Sequence, residues 1–194
     1  MKIVEVNKEN YKIAIKLQEE IFPKDKSPEQ IITGIKTKNP INYVCYKNDK
    51  PVGIFGFYYY ESMPDHILLN WYGVLKEYRG LGYGKEIILT AIEYAKQTGK
   101  KYLTFWTEKE DCKEAIQLYK KVDFDVRDYC CKEDVEKLKR IGEDPSRYAI
   151  GVYSLTDDNE EVDFSKLDMQ ISKQLEILSK FNKCTISAIT GHIW

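Results

Sequence analysis

Two spacings of apolar residues alternate along the chain, and the places where one gives way to the other mark its elements. Ile3, Val4 and Val6 form a short strand-like run, after which Ile13, Ile15, Leu17, Ile21 and Phe22 recur at helical intervals until Pro23. Asn10 stands where a helix cap is needed. A second helix opens at Ser27-Pro28-Glu29-Gln30, with serine to cap, proline in the first turn and glutamine to complete a capping box. Residues 41–46 and 52–60 are rich in strand formers and flank the polar Asn48-Asp49-Lys50-Pro51, which predicts an antiparallel hairpin. Residues 67–74 give a fourth strand, in which Gly73 signals a bulge or a close backbone approach. Strict alternation puts Leu68, Asn70 and Tyr72 on one face of it.

Helical spacing returns at Ile87, Ile88, Ala91, Ile92 and Ala95, within residues 83–96, and ends at Gly99. A right-handed crossover through that helix sets the next strand, residues 102–107, parallel to residues 67–74. A helix over 112–121 and strands over 124–131 and 148–155 follow, with a short helix expected in the charged segment 132–147. Beyond the acidic Thr156-Asp157-Asp158-Asn159-Glu160-Glu161, the residues Phe164, Leu167, Ile171, Leu175, Leu178 and Phe181 fall three or four apart. They predict one amphipathic helix of about five turns, packed on the chain's own body or used as a homodimer contact.

The richest stretch for chemistry lies where the fourth strand hands over to a helix: Lys76-Glu77-Tyr78-Arg79-Gly80-Leu81-Gly82-Tyr83-Gly84. Alternating glycines adopt positive φ readily, which lets successive N–H groups converge on one anion. The first helical turn adds unpaired N–H donors and the positive end of a dipole, and Arg79 adds a fixed charge. Together they read as a pyrophosphate loop. A nucleoside triphosphate loop would need a glycine where Arg79 stands and a hydroxyl where Glu86 follows Gly84-Lys85. A dinucleotide fingerprint counted from Gly80 would need glycine at Lys85, although Glu108 imitates its ribose-binding acid.

The run Arg79-Gly80-Leu81-Gly82-Tyr83-Gly84 resembles the Arg/Gln-x-x-Gly-x-Gly/Ala signature of the GNAT-type N-acetyltransferase superfamily, and Val74 matches the strand end before it. Ala115-Ile116-Gln117-Leu118-Tyr119-Lys120-Lys121-Val122-Asp123-Phe124 resembles that family's second marker, Ala-x-x-Leu-Tyr-x-x-x-Gly-Phe. The resemblance covers residues 1–155 as an acetyltransferase domain, leaving 156–194 as the acidic connector and C-terminal helical extension. It implies a mixed α/β fold: a mostly antiparallel sheet of six to seven strands, splayed between its fourth and fifth, with helices on both faces.

The activity implied is transfer of an acetyl group from acetyl-CoA, as co-substrate and without a metal, to a primary amine of a small molecule or peptide by direct attack. A catalytically silent acyl-CoA-binding or sensor module is the alternative. By the same resemblance, main chain at Val74 and Lys76 meets the pantetheine arm, and Arg79, Gly80, Leu81, Gly82, Tyr83, Gly84 and Lys85 hold the pyrophosphate. Tyr119 is the general acid toward the departing sulfur. Asn70 lies on the strand face where relatives carry a glutamate or histidine and cannot accept a proton at neutral pH, so Glu61, Asp65, His66 and Glu108 remain as base candidates. Two positions depart from the pattern: Cys112 replaces an asparagine that contacts the pantetheine arm, and Asp123 replaces the glycine before Phe124.

Whole-chain properties narrow the partners. With 30 basic and 31 acidic residues among 194, the formal charge of -1 supplies no field for nucleic acid and no polybasic block for a membrane surface. Apolar content of 43% supports a packed core, and the charged N-terminal stretch lacks a signal-peptide core, so a cytoplasmic protein is expected. Cys45, Cys112, Cys130, Cys131 and Cys184 show no Cys-x-x-Cys spacing, and only His66 and His192 could add imidazole, which argues against structural zinc. Cys130 and Cys131, placed on a strand, would point to opposite faces. Acidic candidates near the cleft suit a cationic amine, whereas Phe22, Tyr43, Tyr58 and Tyr60 suit a peptide end or an aryl amine.

Overall fold

The hairpin forms where the sequence places it, and its turn is tighter than the polar tetrapeptide suggests. In the computed structural model, which describes residues 1–23, 28–157 and 161–181, β2 spans Ile41–Lys47 and β3 spans Lys50–Tyr58. Only Asn48 and Asp49 remain between them, at φ 50 and 57. Positive φ at both central residues gives the turn whose twist matches right-handed strands, and Asn and Asp tolerate that geometry best. Pro51 then lies inside β3, opposite Tyr46, where the register shifts between Cys45 and Tyr46. A residue without an N–H is accommodated where the ladder is already interrupted.

The chain divides into two compact units, Met1–Phe105 with Ser154–Thr156, and Trp106–Tyr153 with Asp157–Trp194. The first holds β1 (Lys2–Glu5), α1 (Tyr11–Ile21), α2 (Pro28–Thr37), the hairpin, β4 (His66–Val74), a 3-10 turn at Lys76–Tyr78, α3 (Tyr83–Lys96) and the start of β5 (Tyr102–Glu108). Its strands lie in the order β1-β2-β3-β4-β5, antiparallel except for β4 and β5. The parallel pairs are His66 with Tyr102, Ile67 with Leu103 and Leu68 with Thr104, all at the first three positions of each strand. On one face Ala14, Leu17, Ile21 and Ile31 of α1 and α2 pack with Val44, Ile54 and Leu75. On the other, Tyr43 and Phe55 stack on each other and meet Tyr94 of α3 in edge contacts, and Phe57 makes edge contacts with both Tyr43 and Phe55. Each fully buried aliphatic side chain here contributes about 1.5–3 kcal/mol.

Asn10 precedes α1 without capping it. Its side chain instead accepts from the Asn7 N–H at 2.8 Å and donates to the Glu5 carbonyl at 3.0 Å, which folds the turn between β1 and α1. The cap expected at Ser27 lies outside the described residues. Gln30 of α2 accepts from the Trp71 indole N–H at 3.1 Å.

Strand β4 does contain the bulge that Gly73 signalled. Asn70 pairs with Gly56 and Gly73 with Ile54, so Trp71 and Tyr72 together oppose Phe55, with Trp71 at φ 45. For a bulky residue this conformation costs about 1–3 kcal/mol. Leu68 and Asn70 keep the α1–α2 face of their partners Tyr58 and Gly56, and Trp71 joins them, its ring 5.1 Å from that of Phe22. Tyr72 is thrown to the α3 face, where its hydroxyl reaches the Gly84 carbonyl at 2.9 Å. The common face expected for Leu68, Asn70 and Tyr72 is thus corrected by the one inserted residue, which breaks the period of two. A Cβ on Gly73 would come within 2.4 Å of Ile21 and 2.9 Å of Phe22, so the close approach holds as well.

The second unit carries the end of β5, then α4 (Lys113–Lys121), β6 (Asp125–Asp128), α5 (Lys132–Arg140), a 3-10 turn at Pro145–Arg147 and β7 (Tyr148–Ser154). Strand β7 lies between β5 and β6, completing a seven-stranded, mostly antiparallel sheet order. Strand β6 stops at Asp128, short of Cys130 and Cys131. These two therefore sit in the approach to α5, Cys130 exposed and Cys131 buried, rather than on opposite faces of a strand.

The single C-terminal helix expected from residue 164 is two pieces, a 3-10 turn at Phe164–Lys166 and α6 at Ile171–Phe181. Asp163 caps the turn through the Ser165 N–H, and Gln170 at φ 52 redirects the chain. Asp134, 1% exposed, then caps α6 from α5, accepting the Ile171 N–H at 2.8 Å, the Ser172 N–H at 3.2 Å and the Ser172 hydroxyl. Phe164, Leu167 and Ile171 of the apolar stripe are buried. The side chains of Leu178 and Phe181 lie outside the described residues.

Candidate functional site

The glycine loop is continuous with β4. After Val74 the Leu75 N–H still donates to Val52 of β3, at 2.9 Å, and the 3-10 turn then lifts the chain off the sheet. Gly80 and Gly82 follow at φ 76 and 81. An added Cβ at either would meet nothing within 4 Å, so glycine is needed there for backbone conformation, and any other residue costs about 1–2 kcal/mol.

Gly82 takes the N-cap position of α3, which has no side-chain cap. The first helical bond runs from the Glu86 N–H to the Gly82 carbonyl at 3.1 Å, so the amides of Tyr83, Gly84 and Lys85 precede the ladder. Gly84 lies inside the first turn, its carbonyl taken by Tyr72. This arrangement of bare amides and a helix N-terminus fits a diphosphate.

Charges around the loop are arranged in its favour. Arg79 is exposed, with its Nε donating to the Val74 carbonyl at 3.2 Å, which ties the guanidinium to the strand end at the loop's mouth. Glu86, in the first turn of α3, pairs with the Met1 ammonium at 2.9 Å and with Lys47 at 3.3 Å. The Met1 hydrogen bond chiefly, aided by Lys47, holds its carboxyl below the usual range. Lys47 also lies 5.6 Å from the Tyr83 ring centre. Lys76, Leu81 and Lys85 are exposed around this turn.

The base candidates of the first unit differ in setting. Asn70 is half-buried on the α1–α2 face beside Gly56. Across Gly56 the Asn42 Oδ1 fills the place of a side chain, 2.4 Å from an ideal Cβ, and it is buried with no hydrogen-bond partner among the described residues. His66 is interior, its Nδ1 2.7 Å from the Thr104 hydroxyl and its ring 4.9 Å from Tyr102. Burial pushes its pKa down to about 4, leaving a neutral imidazole at pH 7. Glu61 is exposed in the turn before β4, and the Asp65 carbonyl accepts from the Lys101 and Tyr102 amides.

In the second unit, Glu108 ends β5 in a close ion pair with Arg147, which also meets Glu143 at 3.2 Å. Cys112 stands at the N-cap of α4 without a side-chain cap. Tyr119 is 5% exposed, its ring 5.3 Å from Phe124 in an edge contact. Helix α4 ends with the Phe124 N–H donating to the Tyr119 carbonyl at 3.1 Å and the Asp123 N–H to the Lys120 carbonyl at 3.4 Å. Those two bonds make a Schellman end, whose left-handed position Asp123 occupies at φ 68. The geometry the glycine of the motif would supply is kept, with aspartate in it.

Val74 at the end of β4, Lys76 in the 3-10 turn and Arg79 to Lys85 leading into α3 thus lie along one continuous segment, to which the structure adds Tyr72, on the face opposite to the one strict alternation predicts. The sequence signal for it is Gly73, because a bulge reverses the face of the residue beside it. Among the described residues no group of three His, Cys, Asp or Glu could hold a metal ion. No described helix is long and apolar enough to cross a membrane.

A mixed, mostly antiparallel sheet whose bulged fourth strand runs into a glycine loop and a helix N-terminus is a fold able to hold an anionic group at that loop. A family model described as the acetyltransferase (GNAT) family matches residues 8–124, a span containing both motifs, and the chain belongs to that family. Over 103 residues it is 30% identical to an uncharacterized N-acetyltransferase of Methanocaldococcus jannaschii, covering 51% of this chain and 45% of that protein. The chain therefore matches less than half of that relative's length. The ribosomal-protein-S18-alanine N-acetyltransferase of Escherichia coli superposes with a TM-score of 0.61 at 15% identity, over 84% of this chain and 98% of that one. A GNAT family acetyltransferase of Elizabethkingia anophelis with acetyl-CoA bound superposes with a TM-score of 0.58 at 17% identity, over 79% and 97%.

Proposed function

We propose that this protein is an N-acetyltransferase that moves an acetyl group from acetyl-CoA to a primary amine of a small molecule or peptide. The observation that carries the reading is the pair of left-handed glycines, Gly80 and Gly82, delivering three amides ahead of the α3 ladder inside the family-matched segment. In this reading the amides of Gly80 to Lys85 and the Arg79 guanidinium hold the diphosphate, and main chain at Val74 and Lys76 aligns the pantetheine arm. The amine nitrogen bonds to the acetyl carbon as the carbon–sulfur bond breaks, the leaving sulfur takes a proton from the Tyr119 hydroxyl, and the proton the amine gives up passes through water to restore the phenol.

The proton balance makes these demands unequal. An alkyl amine has a pKa of about 10.4 and arrives mostly charged, whereas an ordinary thiol near ~8.5 leaves with less help. With Asn70 half-buried on β4 and a neutral His66 bonded to Thr104, water is the proton carrier this reading assigns. The peptide amine acetylated by the Escherichia coli protein, an alanine of ribosomal protein S18, supports including peptides among the acceptors. The catalytic domain is assigned to residues 1–155 and the extension to 156–194.

Thiol release from acetyl-CoA across a panel of alkyl, aryl and peptide amines tests the activity. Turnover with at least one amine is expected, and Tyr119→Phe should lower kcat by about 10²–10⁴-fold with coenzyme binding nearly unchanged. An unchanged rate removes Tyr119 from the mechanism. The second reading, an acyl-CoA sensor, draws on Asn70 at the strand position of the base and Asp123 at that of the glycine. It predicts coenzyme binding with no thiol released by any amine.

A further inference from the structure

We infer that Tyr72 is a positioning residue for the coenzyme's diphosphate, setting the aim of the first-turn amides of α3 through its hydrogen bond to the Gly84 carbonyl. The inference rests on the reading of the glycine loop as a coenzyme A site, and it extends that site to a strand residue that neither motif includes.

The bulge makes the contact possible. Asn70 pairs with Gly56 and Gly73 with Ile54, leaving Trp71 as the inserted residue. Trp71 is held at φ 45 on the α1–α2 face by the Gln30 side chain and the Phe22 ring. Its insertion sends the Tyr72 side chain under α3, and the hydroxyl donates to the Gly84 carbonyl at 2.9 Å. Burial pushes the Tyr72 phenol well above its ordinary pKa, so it remains a donor at every working pH.

The bond acts on a ligand-facing group because a peptide unit is planar. The Gly84 carbonyl and the Lys85 N–H are opposite ends of one such unit, so restraining the oxygen also restrains the direction of the hydrogen. That N–H is one of the three preceding the helical ladder, which begins with Glu86 bonding to Gly82. A hydrogen bond to the carbonyl also polarises the amide and strengthens its N–H as a donor. The loop needs such a strut, because Gly80, Gly82 and Gly84 leave it with more conformational freedom to lose than any other composition would. Ordering it before the anion arrives removes that loss from the binding step.

The test uses the full chain and two probes, CoA by titration calorimetry and pantetheine, which lacks the diphosphate, by NMR titration. Tyr72→Phe keeps the ring and removes the hydroxyl. Ile67→Val, a small core loss on the same strand, serves as the reference for general destabilisation, read as the melting temperature. Tyr72→Phe is expected to weaken CoA about tenfold while pantetheine stays within about twofold, and Ile67→Val to leave both unchanged. Equal loss of CoA and pantetheine affinity in Tyr72→Phe would make the role structural and overturn the inference. Unchanged CoA affinity would overturn it too, with the loop reading intact. Absence of CoA binding by the unaltered protein would instead defeat the loop reading on which it rests.

Discussion

His66 shows how burial decides what a single residue can do. In the sequence it is one of four base candidates, three of them near the turn into β4, and its chemistry suits the part. The structure stacks it on Tyr102, bonds it to Thr104 and pushes its pKa down to about 4. An unfolded histidine titrates near 6.5, so the unfolded chain binds this proton first. Stability from the neutral form is therefore full above about pH 6.5 and lost as pH falls toward 4. Urea midpoints measured between pH 7 and 4.5 should fall in the natural protein and fall less in His66→Gln; parallel slopes would refute the assignment. The same scale shows what the sequence hid. Arg79, Gly80 and Gly82 were legible because their chemistry needs no tertiary context. Tyr72 was not, because its face depends on one inserted residue, Trp71, whose φ is fixed by packing against α1 and α2.

Helix ends decide two matters at the scale of elements. Asp123 sits at φ 68 in the Schellman end of α4, where glycine would carry no side-chain penalty. Asp123→Gly should stabilise the protein by about 0.5–1 kcal/mol, the relief of strain exceeding the greater freedom it gives the unfolded chain. A lower melting temperature in that variant would show that the aspartate side chain holds the turn by contacts stronger than its strain. At α6 the cap comes from another helix. Asp134 receives the Tyr129 hydroxyl at 2.8 Å as well as the Ile171 and Ser172 donors, all buried. Asp134→Ala should cost about 2–4 kcal/mol, since each stranded donor loses its partner. Urea denaturation checks this, and a loss below about 0.5 kcal/mol would mean that water or another group replaces the carboxylate.

The hairpin, β4 and α3 were legible because turn residues and apolar period agreed with tertiary packing there. The C-terminal stripe misled, because Phe164 and Leu167 bury themselves from a 3-10 turn at the same spacing a helix would use. Spacing alone does not reveal the break, which is made by Gln170 at φ 52 and a cap on a distant helix.

At the scale of the molecule, the order of strands and helices followed from the alternation of periods, and two motifs far apart in sequence named the family that the match over residues 8–124 shows. The acceptor and its base were not legible, since the candidate acids sit on turns and strand ends whose side-chain partners only the fold supplies. Glu108 illustrates this, being engaged with Arg147 in the second unit. The proposed coenzyme site, by contrast, rests on main-chain geometry, and main-chain geometry is what the glycine pattern encodes.

That claim is tested most directly by titrating CoA into the protein and into Gly82→Val by calorimetry. The account predicts saturable heat for the natural chain and at least a tenfold weaker affinity in the variant, because valine resists φ near 81 although nothing within 4 Å would obstruct its Cβ. No heat with the natural protein, or equal affinity in both, would contradict it.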